Sequence, residues 1–225
     1  MTPVGSTTLG RLSGLDFDPV SGVLYASSGG GGPNPDSLFT VDPTSGAATL
    51  IGPFNAERST DLGIDNDGTI FATNFAGLLI IDPITGNAEP VGSFGNNFIE
   101  AIDVDPTTGT LHGLTFNNGD FFSIDKTTGF ATMLGSYGVP GHDWTGLGID
   151  HSGNVFASTG GRGSATAGDI YLLNPNFTLT FLGTHGSAVS DITFRPPADV
   201  PEPGTLALFG LGLAALGYMR RRRAA

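Results

Sequence analysis

The chain has 225 residues, of which 36 are glycine and none is cysteine, and its formal net charge is −12. The lack of cysteine excludes disulfides, thiol chemistry and cysteine-ligated zinc. Four of the nine Lys and Arg residues lie at 220–223, so residues 1–199 hold 5 basic and 20 acidic groups. A body this acidic repels a phosphate backbone, which argues against nucleic-acid binding. The abundance of glycine and phenylalanine predicts a turn-rich all-β fold.

The N-terminal segment 2–10, TPVGSTTLG, is similar to the segment 89–97, EPVGSFGNN. Because the second segment ends a repeat, this similarity predicts that the chain starts on the last strand of a repeat. The first ten residues also lack the basic start and the apolar run of a signal peptide. Together these observations predict an N-terminally truncated sequence that lacks a signal peptide and about two strands. A chain that is naturally open at this end is the alternative.

From residue 15 to residue 196 the sequence repeats with a period of about 40–47 residues, which is typical of propeller blades and solenoids. Each repeat contains two hairpins, in which a turn with Asp or Asn and Gly joins two apolar strands. With strands A to D in every repeat, the pattern predicts a β-propeller-like array of four full repeats with partial strands at both ends. A β-solenoid is the main alternative. The A strands start near residues 15, 62, 102 and 147, and a partial copy starts at 191.

The Asp-rich turns have two interpretations. The densest one, at 65–68, reads Asp-Asn-Asp-Gly and carries the carboxylates of a calcium site. However, a strand follows it directly, where an EF-hand loop would continue towards a glutamate. Because turns of this type recur in every repeat, we favour a folding role and predict no metal and no other cofactor.

Motifs of catalysis are missing from the sequence, which contains neither G-x-S-x-G nor H-E-x-x-H. The protein is therefore predicted not to be an enzyme, and no catalytic residue is assigned. The alternative is a propeller hydrolase of the lactonase type, which needs several carboxylates around a central metal. For that role the sequence offers Glu100 at the start of an A strand, with Asp61 and Asp191 one position further in.

The best candidate for a ligand site is the face on which the B–C and D–A connections emerge. The two longest B–C loops, at 29–36 and 160–168, are rich in glycine and belong to this face. A ring of polar residues just before the A strands would open onto it. This ring consists of Ser13, Thr60, Glu100, Thr145 and Ser190. Loops without a function are the alternative.

The cluster His142-Asp143-Trp144 lies in a D–A connection and contains the only tryptophan. A Trp beside His and Asp is a candidate sugar-binding platform, although we favour an aromatic cap on a blade junction. The predicted ligand face therefore comprises Glu100, His142, Asp143 and Trp144.

The C-terminal segment 204–219 is uncharged and mostly apolar. As a helix it would span about 24 Å, which is short for a hydrocarbon core of about 30 Å. Snorkelling arginines would close the gap. Basic residues stay on the cytoplasmic side, so the acidic body is predicted to lie outside the cytoplasm. The predicted anchor of this topology is Arg220, Arg221, Arg222 and Arg223. A buried core helix with a basic tail is the alternative.

The sequence Val-Pro-Glu-Pro at 200–203, the apolar segment and the arginine cluster occur in the order of a PEP-CTERM sorting signal, which this tail resembles. The resemblance implies recognition of Pro201, Glu202 and Pro203 by an exosortase, a transpeptidase-like membrane enzyme of Gram-negative bacteria. It also implies a link to exopolysaccharide. The repeats resemble, more loosely, propeller-like domains of unknown function that precede such tails, which implies no activity.

The predicted domains are a repeat domain at 1–197, a linker at 198–203, a transmembrane helix at 204–219 and a basic cytoplasmic tail at 220–225. By the same resemblance, the precursor is anchored in the inner membrane with a periplasmic domain and later reaches the cell surface or the extracellular matrix. The expected function is that of an exosortase-processed surface protein with a non-catalytic domain. A carbohydrate-binding module is the first alternative and the lactonase-type hydrolase the second.

Overall fold

The computed structural model describes residues 5, 7, 9, 12–55, 58–74, 77–138, 142–160 and 166–197. These residues form β-strands joined by turns and loops. In chain order the strands are β1 (Leu12–Phe17), β2 (Leu24–Ser28), β3 (Ser37–Val41), β4 (Ala48–Pro53), β5 (Asp61–Ile64), β6 (Ile70–Thr73), β7 (Leu78–Ile81), β8 (Ala88–Gly92), β9 (Ile99–Val104), β10 (Leu111–Thr115), β11 (Asp120–Ile124), β12 (Ala131–Ser136), β13 (Trp144–Ile149), β14 (Val155–Thr159), β15 (Asp169–Leu173) and β16 (Leu179–Thr184).

The strands form four antiparallel sheets, and each sheet consists of four strands that are consecutive in the chain. The first strand of each sheet packs against the first strand of the next, β1 on β5, β5 on β9 and β9 on β13. This arrangement is a four-bladed β-propeller with the A strands innermost. It confirms the predicted array of four full repeats and excludes the solenoid.

The partial fifth repeat contributes an inner segment, 191–196, that is not assigned to a regular strand. One side of this segment packs on β13, where a Cβ added to Gly146 would lie 2.5 Å from the Cα atom of Asp191. On the other side, the Asp191 carboxylate accepts a hydrogen bond from the Leu15 N–H at 2.6 Å. The segment therefore links the first and fourth blades. The predicted partial strand at 2–10 lies largely outside the described residues.

The hairpin turns have the geometry that the sequence predicts. In the C–D turn of the first blade, Asp42 Oδ1 accepts the N–H groups of Thr44 at 2.7 Å and Ser45 at 3.3 Å, and Gly46 has a φ of 74°. The corresponding turn of the second blade, which starts at Asp82, repeats this pattern. The carboxylates thus satisfy turn amides that would otherwise need water.

Apolar side chains of neighbouring blades pack against one another and form the core. In the A strands, Leu62, Ile102 and Leu147 are each 1% exposed, as the alternation of bulky and small residues predicts. Each such side chain stabilises the fold by about 1.5–3 kcal/mol relative to exposure. This packing gives the rigid scaffold on which the connecting loops stand.

The chain divides into two compact units, Met1–Arg195 and Pro196–Ala225. The propeller belongs to the first unit. The predicted linker, transmembrane helix and basic tail lie outside the described residues. Among the residues that are described, no helix is long and apolar enough to cross a bilayer.

Candidate functional site at the mouth of the channel

The starts of the A strands surround a cavity of about 100 Å³ that opens on the face of the B–C and D–A connections. All five residues of the predicted polar ring line this cavity, together with Arg58, Ser59 and glycines of both long B–C loops. The A strands enclose the central channel of the propeller, and we call this cavity at its opening the channel mouth. The channel mouth is therefore polar and rich in hydroxyl groups. The structure brings the ring together at the place that the strand register indicates.

Glycines keep this mouth open. A Cβ at position 160 would lie 2.4 Å from Thr145 Oγ1, which is far closer than van der Waals contact allows. A Cβ at position 30 would lie 3.2 Å from Arg58 Nε, and one at position 29 would lie 3.6 Å from the Ser13 Cβ atom. Larger residues in the two B–C loops would therefore occupy the space that the polar ring encloses.

Beneath the mouth, three buried aspartates and a fourth that is partly exposed, Asp191, bind the inner segments to one another. Each accepts a backbone N–H from a neighbouring blade, and each also accepts the N–H of the residue that follows it. The contacts between blades are Asp16 with Ile64 (2.7 Å), Asp61 with Ile102 (2.9 Å), Asp103 with Ile149 (2.6 Å) and Asp191 with Leu15 (2.6 Å). Carboxylates thus connect the blades across the floor of the channel.

Burial changes the acidity of these carboxyls. It raises the pKa of Asp16 to about 6. Burial, and then the negative charge of Asp191, raise the pKa of Asp61 well above its ordinary value. Burial raises the pKa of Asp191 in the same way. The pKa of Asp103 is raised by burial and by the charge of Asp16. These shifts favour the protonated forms and reduce the negative charge below the mouth.

The carboxylates that a lactonase-type metal centre would need are already engaged. Both oxygens of Asp61 accept backbone N–H groups, from Leu62 at 2.9 Å and from Ile102 at 2.9 Å. In the densest turn, Asp65 forms an ion pair with Lys126 at 2.5 Å. Among the described residues, no group of three or more His, Asp or Glu is arranged to hold a metal ion.

The other predicted ligand-face residues lie apart from the mouth. His142 and Asp143 line an open cleft of about 450 Å³ beside the third and fourth blades, together with Asn117 and Asp120. Glu100 lines the channel mouth instead. The four predicted residues therefore do not form one site.

Trp144 is fully buried, with 0% of its surface exposed. Its ring stacks on the His142 ring at 5.3 Å between centroids and meets the Tyr171 ring edge-on at 5.5 Å. His142 Nε2 lies 3.0 Å from the Tyr171 hydroxyl. A buried indole has no open face for a sugar, so this geometry supports the aromatic cap between blades rather than the platform.

Sequence reasoning named Asp61 and Asp191 as candidate carboxylates of a metal centre, but it did not single out Arg58, Asp16 or Asp103. Arg58 lies two positions before Thr60, so extending the polar ring towards the D–A connections would have found it. Asp16 and Asp103 alternate with the bulky residues of their A strands. The corresponding positions of the other A strands hold small residues, so the sequence pattern does not distinguish these two aspartates.

A family model described as the PEP-CTERM protein-sorting motif matches residues 199–223. The match shows that the chain ends in the predicted sorting signal, which marks a membrane-anchored precursor processed for export to the cell surface. None of the curated proteins matches the chain.

Several solved structures share the fold at low sequence identity. One is a chain of a nidogen/laminin complex, with a TM-score of 0.58, 19% identity, and coverage of 81% of this chain and 68% of that chain. A protein of unknown function from Bacteroides thetaiotaomicron has a TM-score of 0.56 and 14% identity, with 81% and 54% covered. An auxiliary nutrient binding protein from the same organism has a TM-score of 0.54 and 15% identity, with 81% and 44% covered. The chain spans about half the length of these last two, and the likeness shows the propeller fold alone.

Proposed function

We propose that this chain, which ends in a PEP-CTERM sorting motif, is an exosortase-processed surface or extracellular-matrix protein with a non-catalytic propeller. The motif match at residues 199–223 carries the proposal, since it points to exosortase as the processing partner. In the proposed precursor, residues 204–219 cross the inner membrane and the propeller lies in the periplasm of a Gram-negative cell.

Charge supports this orientation. The four arginines at 220–223 follow the apolar segment directly, whereas residues 1–199 are strongly acidic. Because basic flanks remain in the cytoplasm, the arginines keep the C-terminus there while the acidic body is exported.

The propeller is proposed to bind a ligand rather than to transform one, with exopolysaccharide as the candidate partner. The hydroxyl-rich channel mouth supports this role, because rings of Ser and Thr with a few charged groups can hydrogen-bond a polyol. Asp61, one of the carboxylates that a lactonase-type centre would use, accepts two backbone N–H groups, which favours a structural role for it.

The sorting proposal can be tested by replacing Pro201, Glu202 and Pro203 with alanine together, in a Gram-negative host that expresses an exosortase. We expect the unprocessed precursor to accumulate in the membrane fraction, as seen by immunoblotting of cell fractions. The matched control replaces Pro196 and Pro197, which lie just outside the motif, and it should mature normally. Normal maturation of the triple variant, or normal maturation of the native chain in a host without exosortase, would contradict the proposal.

A further inference from the structure

One basic residue of the acidic body lies at the channel mouth. Residues 1–199 contain five basic side chains, and one of these, Arg58, lines the cavity. The sequence places Arg11 directly before Leu12 and Arg162 two positions after Gly160, and both of these neighbours line the same cavity. Arg11 and Arg162 themselves lie outside the described residues. Within the part of the chain that the structure describes, Arg58 is therefore the basic residue at this opening of a strongly acidic protein.

The other two basic residues lie elsewhere. Lys126 forms an ion pair with Asp65 and donates a hydrogen bond to the Gly109 carbonyl at 2.8 Å. Arg195 is exposed at the far end of the segment 191–196 from the mouth, where its carbonyl contacts His151. Neither residue adds positive charge at the mouth.

Arg58 is positioned to meet a ligand. Its side chain is exposed and lies over Gly30, where a Cβ would be 3.2 Å from Nε and 3.7 Å from Nη2. A side chain at position 30 would therefore crowd the guanidinium, which would have to shift by a few tenths of an ångström. A planar guanidinium binds a carboxylate with two parallel hydrogen bonds, so this rim favours a carboxylate.

The remainder of the wall favours a hydroxylated ligand. Glu100 is half-buried in the lining, and its carboxylate accepts but cannot donate hydrogen bonds. The Thr145 hydroxyl already donates to the Val189 carbonyl at 2.7 Å, so it offers a ligand its acceptor lone pairs. A bare inorganic anion has no donor for either group, whereas a sugar hydroxyl has one.

The floor of the mouth also tolerates an anion. Asp61 and Asp191 directly follow the ring residues Thr60 and Ser190, and burial raises the pKa values of both carboxyls well above the ordinary range. The protonated forms that these shifts favour reduce the repulsion between this floor and an incoming carboxylate.

We infer that the channel mouth binds the carboxylate-bearing end of a sugar acid, such as a hexuronate. The cavity of about 100 Å³ has room for several water molecules or for one end of a sugar ring, so the rest of a saccharide stays outside. Arg58 binds the carboxylate of the sugar acid. Glu100 and the other residues of the polar ring accept hydrogen bonds from its hydroxyl groups. The inference rests on the proposed binding role of the propeller.

Calorimetric titration of the purified full-length chain in detergent tests this inference with three probes: glucuronate, glucose and inorganic sulfate. We expect glucuronate to bind, and both glucose and sulfate to bind at least roughly tenfold more weakly. Glucose lacks the carboxylate that Arg58 binds, and sulfate lacks the hydroxyl groups that the polar ring binds. Equal affinities for sulfate and glucuronate would show that the mouth binds anions in general, and would overturn the inference.

Two variants locate the binding. Arg58→Gln should weaken glucuronate binding roughly tenfold or more. The matched control, Arg195→Gln, changes the net charge equally on another exposed arginine and should bind as the native chain does. Circular dichroism melting checks that both variants are folded. Equal affinity of the two variants would overturn the assignment to the mouth.

A third variant, Glu100→Ala, tests the hydroxyl-accepting wall. It should weaken glucuronate binding and leave sulfate binding unchanged or stronger, so the ratio of the two affinities narrows. An unchanged ratio would exclude Glu100 from recognition and contradict the sugar-acid inference. If glucuronate does not bind the native chain at all, the inference fails, whereas exosortase processing is judged separately by maturation of the 201–203 variant.

Discussion

Aspartate has opposite properties in two regions of the propeller. In the channel, Asp16 and Asp103 are buried, accept N–H groups from neighbouring blades and have raised pKa values. In the C–D turns, Asp42 and Asp82 are exposed and accept N–H groups from residues two and three positions ahead. Hydrogen bonds from Thr44 lower the pKa of Asp42 to about 2.

Solvent access, rather than the number of hydrogen bonds, explains the difference. Both kinds of carboxylate accept two or more hydrogen bonds, each of which favours the ionised form. In the channel the cost of removing a charge from water is larger than this benefit, whereas in the turns that cost is small. Consequently the channel aspartates determine how the blades are held together, and the turn aspartates determine only local loop geometry.

Removing a channel aspartate should have the largest effect. Asp103→Ala leaves the buried N–H groups of Ile149 and Val104 without their acceptor, and we expect a loss of about 4 kcal/mol in the free energy of unfolding. Urea denaturation followed by circular dichroism measures this loss. Asp103→Asn is the control, since its carbonyl oxygen retains one acceptor, and it should lose much less. Equal losses in the two variants would show that the retained acceptor contributes nothing, and would contradict the role given to these hydrogen bonds.

The pH dependence of stability should distinguish the two regions next. The folded protein holds the Asp16 proton more tightly than the unfolded chain, because the pKa rises from 3.8 to about 6. The stabilisation from this proton is complete below about pH 4 and is lost as the pH rises through 6, with an upper bound of about 3 kcal/mol. The other channel carboxyls act in the same direction.

We therefore expect the melting temperature to be higher at pH 5 than at pH 8. Asp16→Asn cannot titrate, so its stability should vary less steeply between pH 4 and 7 than that of the native chain. Stability of the native protein that instead rises over this interval would contradict the role assigned to the channel carboxyls.

The turns could be predicted from the sequence because each contains its own donors and acceptors. The stretch from Asp42 to Gly46 includes the carboxylate, the amides that it binds and the glycine that adopts positive φ. The period of the repeats likewise predicted the four blades. The polar ring at the mouth followed from the register of the A strands.

The channel network could not be predicted, because its partners are far apart in the sequence and do not share one repeat position. Asp61 and Asp191 stand just before the first bulky residue of their A strands, whereas Asp16 and Asp103 stand just after it. An alignment of the repeats therefore shows no common aspartate. The position of Arg58 at the channel mouth could not be predicted for a related reason, since the D–A connections differ in length and have no common register.

The turn aspartates should show the smallest effect, and one blade supplies a natural comparison. Asn174 occupies the position of Asp42 in the fourth blade, where it starts a turn that is one residue shorter, and its amide nitrogen donates to the hydroxyls of Thr178 and Thr180. At pH 7, Asp42→Ala should lower the melting temperature by only about one or two degrees, because water replaces the lost acceptor at the surface. Asp42→Asn should be closer to the native chain.

The lowered pKa of Asp42 fixes the sign of its pH dependence. Its contribution is present above the unfolded pKa of 3.8 and is lost as the pH falls through about 2, opposite to the channel. The difference in melting temperature between the native chain and Asp42→Ala should therefore vanish near pH 2. A difference that persists there would mean that the protonated side chain still orders the turn, and the contrast between the two regions would then rest on burial alone.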